Sequence, residues 1–164
     1  MASTKGIVLT IFILAGITGA SFLLWLIPQN YESTFVISDY KSFLESKKEI
    51  HNTVSSAVDD EFQKLLTKDV TPDEYITTAE ISSSQINSQI MQLIQSDPPE
   101  EWYESYLNYI ESLKKFNLQI KETIVLAKMI NDVDEKRFQK KIDEINSLKM
   151  ESDSFSQVSD EARP

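Results

Sequence analysis

The chain has 164 residues, 26 acidic and 16 basic, with a single histidine and no cysteine. That length suits one domain beside a membrane segment, and the missing thiols exclude disulfides, thiolate metal sites, c-type haem attachment and a catalytic cysteine. All 26 acidic residues lie beyond Pro28, against 15 basic ones, so residues 29–164 carry a net charge of −11, which repels nucleic acid and argues against DNA or RNA as a partner.

From Ile7 to Ile27 the chain reads IVLTIFILAGITGASFLLWLI, 21 residues without a charge. At 1.5 Å per residue such a helix spans roughly 30 Å, the thickness of a hydrocarbon core. Trp25 and Tyr31 fall where an interfacial aromatic belt sits, and Pro28 ends the run. The sequence therefore predicts one membrane helix at 7–27, with the lipid bilayer as its partner. Residues 1–6 are its flank and residues 28–38 a linker. A small-residue cleavage site at Thr18-Gly19-Ala20 would leave Phe22 to Ile27 at the start of a mature chain, so an uncleaved signal anchor is the expected fate. Lys5 and the terminal amine place the N-terminus in the cytoplasm and the following domain outside it. Ala15, Gly16, Gly19 and Ala20 form two overlapping small-xxx-small pairs, where another membrane helix can approach closely. Lys5-Gly6 before the apolar run resembles the cleavage site of pilin-type leaders, although Ile11 stands where many bacterial pilins carry glutamate.

The only glycines are Gly6, Gly16 and Gly19. Their absence from the remaining 145 residues excludes a phosphate-cradling loop there and favours helices over turn-rich sheets. Helix starts are legible at Ser38-Asp39, at Thr71-Pro72-Asp73-Glu74, at Asp97-Pro98-Pro99-Glu100 and at Asp132-Val133-Asp134-Glu135. The first helix carries Tyr40, Phe43, Leu44, Val54, Val58, Phe62 and Leu65. The second carries Ile76, Ala79, Ile86, Ile90 and Leu93 around a polar middle from Ser82 to Gln89. The third is the clearest, with Trp102, Tyr106, Tyr109, Leu113, Phe116, Ile120 and Ile124 at three- and four-residue spacing. Leu107, Ile110, Leu118 and Val125 widen its apolar stripe, and the pattern runs to about Ile130. The last helix shows Phe138, Ile142, Ile145 and Leu148, and a disordered acidic tail is expected over 151–164. Short connections make neighbours antiparallel. The expected fold is all-α: a membrane helix, then a bundle over 39–150 of three long helices and one shorter.

Little here reads as chemistry. His51 sits at the edge of an apolar stripe and reads as a boundary or surface histidine. A di-iron bundle needs glutamate three residues before it, where Lys48 stands. The pairs Asp59-Asp60 and Glu100-Glu101 fit exposed or capping positions, and the serines have no nucleophile-elbow motif. No metal, cofactor or enzymatic activity is expected. Trp102, Tyr103, Tyr106 and Tyr109 form the one dense aromatic patch and are the candidate partner contacts, with either Tyr103 or Tyr109 exposed. The expected role is a structural or interaction module, an accessory subunit contacting a membrane or envelope protein or another copy of itself. Membrane-proximal four-helix sensor domains are similar in joining an N-terminal membrane helix to a bundle, which implies a ligand-binding alternative. They continue through a second membrane helix, whereas this sequence continues into the polar tail.

Overall fold

Four helices account for residues 40–161, and each begins at a cap that local chemistry explains. The computed structural model describes residue 37 and residues 39–164. The expected membrane helix, with Ala15, Gly16, Gly19 and Ala20, lies outside the described residues. Among those described, no helix is long and apolar enough to cross a membrane.

Helix α1 spans Tyr40–Thr67, and the Asp39 carboxylate accepts the Ser42 backbone N–H at 3.0 Å. It ends at Lys68, which closes the helix in the left-handed conformation at φ 63°. A side chain with a Cβ pays for that conformation, and glycine does not. Replacing Lys68 with glycine should therefore raise stability by about 0.5–1 kcal/mol, read as a shifted urea midpoint at unchanged slope. A lower midpoint would show that the lysine side chain contributes more than its backbone costs.

Helix α2, Pro72–Ile94, opens with a complete capping box: Thr71 Oγ1 accepts from Glu74 N, and Glu74 Oε2 accepts from Thr71 N at 2.9 Å. Its polar middle stays helical, because Ser82, Ile86 and Gln89 are all buried. Helix α3, Glu100–Met129, is the longest of the described helices, and its N-cap is Pro99 with no side-chain hydrogen bond. The expected Asp97 cap is thus corrected. Pro98 precedes an extended Pro99 (ψ 159°), so the helix begins at Glu100, and Asp97 instead turns the chain at φ 44°. Glu100 and Glu101 then favour the positive end of the helix dipole.

Helix α4 spans Glu135–Glu161 and is capped by Asp134, whose carboxylate accepts Arg137 N at 2.9 Å; Asp132 lies in the preceding turn. The larger correction is its length. Residues 151–161, expected as a disordered tail, are helical, and α4 is as substantial as its neighbours. The reason lies in packing that hydropathy does not register. Ser152 and Ser159 are buried against Ser112 and Ser105 of α3. Ser105 Oγ donates to the Ser159 carbonyl at 2.7 Å, and Ser152 Oγ donates to the Ser112 carbonyl at 2.9 Å. Small side chains at seven-residue spacing on both helices let the backbones come close, and their hydroxyls are satisfied by the opposite backbone or by each other. Accordingly α3 and α4 share the most extensive packing of any pair among the described helices.

The result is an antiparallel bundle in which α3 packs against α4 and α2, and α1 lies on α2 and α3. Its core holds Leu44, Val58 and Leu65 of α1, Ile86 and Leu93 of α2, and Leu113, Phe116 and Ile120 of α3. Long side chains bridge α1 to α4 and the residues just after it: Lys48 to Asp160 at 2.6 Å, Asp59 to Lys149 at 2.5 Å, and Glu45 to Arg163.

Candidate interaction surface

Helix α3 divides the aromatic patch between two environments. Tyr106 and Tyr109 are sealed in the core, Trp102 is half-buried, and Tyr103 is 56% exposed. Of the four expected contacts, only Tyr103 and part of Trp102 are open to a partner. Tyr106 instead organises the end of the bundle where α1 begins. Its ring meets Tyr40 edge-on at 6.1 Å and Trp102 at 6.3 Å, and its hydroxyl donates to the Tyr40 carbonyl at 2.8 Å. Tyr40 in turn donates to the Asp97 carbonyl, so this cluster ties α1 to the turn before α3.

Tyr109 leads to a further correction. His51, expected at a boundary or on the surface, is buried at 8% exposure. Its ring packs on Phe116 at 4.7 Å, and its Nδ1 shares a hydrogen bond with the Tyr109 hydroxyl at 3.3 Å. Burial, then the neighbouring Lys48 charge, pushes the imidazole down to about 4, so it is neutral at pH 7. Burial also pushes the Tyr109 phenol up. Lys48 sits over the Tyr109 ring at 5.1 Å and bonds Asp160 and the Ser156 carbonyl; burial lowers its pKa more than Asp160 raises it. Each polar atom here serves the packing of α1 on α3 and α4. No cluster of three His, Cys, Asp or Glu side chains suited to a metal ion occurs among the described residues.

A polar ladder joins α2 to α3. Tyr75 donates to Thr123 at 2.6 Å, Ser83 donates to Asn117 at 2.6 Å, and Asn117 donates to Asn87 at 2.7 Å. Burial raises the Tyr75 phenol to about 12. On the other side of α2, a groove of about 530 Å³ runs along α1, with Ile50 and Val54 on one wall and Gln85, Ser88 and Gln89 on the other. The Gln89 amide is buried there with no hydrogen-bond partner among the described residues.

The outer face of α3 is another correction. Leu107, Leu118 and Val125, expected to widen the buried stripe, are 45%, 42% and 42% exposed. With Tyr103 they follow one narrow strip, whose remaining positions are Glu104, Glu111, Lys114, Lys121 and Lys128. α2 and α4 cover the flanks of α3 and leave this strip open. The signal for it was the seven-residue recurrence Glu111-Leu118-Val125 beside Leu107-Lys114-Lys121-Lys128, which separates a charged-and-apolar strip from the core positions.

No protein-family model, curated protein or solved structure matches this chain at a significant level.

Proposed function

We propose that this protein is a non-enzymatic helical interaction module, anchored through residues 7–27 with its N-terminus in the cytoplasm and its bundle outside. In this role it is an accessory subunit of a membrane or cell-envelope complex. The observation that carries the reading is the strip on α3, where Tyr103, Leu107, Leu118 and Val125 recur at helical spacing and remain open to solvent. Single exposed apolar residues are ordinary, but an aligned set on the helix most buried elsewhere marks a contact surface. The acidic bundle and the apolar 21-residue run support a tethered extracytoplasmic domain.

A photo-crosslinking residue at position 118 of the full chain, irradiated in its native membranes, tests this. The expected result is a discrete protein adduct of defined mass that is absent when the probe sits at position 143, on an exposed part of α4. Failure to form any adduct from positions 107, 118 and 125 would sink the reading.

One observation favours ligand binding as a second reading, the groove between α1 and α2 with its unpartnered Gln89 amide. Thermal stabilisation of the full chain by an amide-bearing small molecule, lost in Gln89→Leu, would support it.

A further inference from the structure

We infer that the strip on α3 pairs with the same strip of a second copy, antiparallel and two-fold about residue 116; this rests on the interaction reading above and names its partner. The strip falls at alternating three- and four-residue steps, the spacing of a coiled-coil seam: 104, 107, 111, 114, 118, 121, 125 and 128. A two-fold interface must be complementary to itself.

Turned about residue 116, Leu107 meets Val125 and Glu104 meets Lys128 of the other copy. The inner layers bring Glu111 onto Lys121, and Leu118 onto the stem of Lys114. Tyr103 at the edge comes level with Met129, which is itself partly buried. The layers are therefore apolar, oppositely charged, or a leucine against a lysine stem, and none sets like charges together, whereas a parallel pairing stacks Glu104 and Glu111 on themselves and the three lysines likewise. The charges are also available. Glu104, Lys121 and Lys128 have no ion pair among the described residues, and Glu111 has only an exposed bond to Lys114 one turn away. An acidic first half and a basic second half along one helix face is the arrangement that specifies antiparallel partners.

The strip is roughly 36 Å long from residue 104 to 128 at 1.5 Å per residue, and narrow. It buries less than the ~800 Å² per partner of a standard interface, so the pair is weak and reversible.

The chain has no cysteine, which makes the register directly readable. Full-length Leu107→Cys and Val125→Cys variants, mixed in detergent with a short bismaleimide, should link to each other. Leu107→Cys alone should not, because its two copies lie about 27 Å apart along the seam. Glu111→Lys should cut the mixed link about tenfold, and adding Lys121→Glu should restore it to within about twofold. That rescue cannot arise inside one chain, where the two positions are ten residues apart on a rigid helix.

A link by Leu107→Cys alone, no rescue by the double reversal, or a dimer that forms with no 107–125 link would overturn the pairing. A photo-adduct with a different protein, without the 107–125 link, overturns self-pairing and leaves the interaction reading standing. No photo-adduct at all removes both.

Discussion

Ser152→Leu should destabilise the bundle by about 3 kcal/mol, against about 1 kcal/mol for Ser152→Ala. Ser152 is 2% exposed, and its hydroxyl donates to the Ser112 carbonyl across the most extensive helix contact among the described residues. Alanine removes that bond but keeps the small volume, so the backbones stay where they are. Leucine has two more heavy atoms than serine at a position with no space, and α4 must move away from α3. The measurements are urea unfolding of the full chain in detergent and hydrogen exchange along α4. In the leucine variant, protection should fall over residues 149–161 while α2 keeps its own. Equal midpoints for the two variants would mean that α4 packs more loosely there than the hydrogen bonds imply. On hydrophobicity alone the opposite ranking is expected, since leucine is the more apolar of the two. The comparison therefore separates packing from hydrophobicity.

The second large effect is acid sensitivity from His51. Its folded pKa lies near 4, below the ordinary 6.5, because the neutral ring is buried against Phe116 and Tyr109 with Lys48 beside it. Between pH 6.5 and 4 the unfolded chain binds a proton at His51 that the folded chain refuses. Stability thus falls as the pH drops through that window and levels off, for this group, below about 4. The gap corresponds to at most ~3 kcal/mol. His51→Leu should flatten the window. The acids whose folded pKa is lowered, Asp39 and Glu74 at their caps and Glu151 beside Lys115, act in a lower range. Their stabilisation is present above the ordinary carboxylate values and is lost only as the pH falls through the depressed ones. The test is the urea midpoint at several pH values between 7 and 4 for both proteins. A slope that survives His51→Leu would assign the acid sensitivity to carboxylates instead.

These two cases mark where reading the sequence runs out. Thr71-Pro72-Asp73-Glu74 announces α2 because its two reciprocal hydrogen bonds involve only neighbours in the chain. The apolar stripe of α3 is equally plain, since Leu113, Phe116 and Ile120 repeat at the helical period. His51 was harder, although it completes the seven-residue series Leu44, His51, Val58, Leu65, all four buried. A histidine in that series can be in the core only if something distant receives its ring, and the receivers are Phe116 and Tyr109, more than fifty residues away.

The sequence by itself determined the helical class, all four helix origins to within two residues, and the acidic character of everything after Pro28. Each of these rests on local forces: capping, the 3.6-residue period and the count of charges. Tertiary structure alone decided that α4 continues to Glu161, that Leu107, Leu118 and Val125 face outward, and that Tyr109 and His51 face each other. Those outcomes depend on how closely two backbones approach and which side of α3 its neighbours cover. Serine is polar on any scale, yet it fits between touching helices because it is small and its hydroxyl finds a carbonyl there.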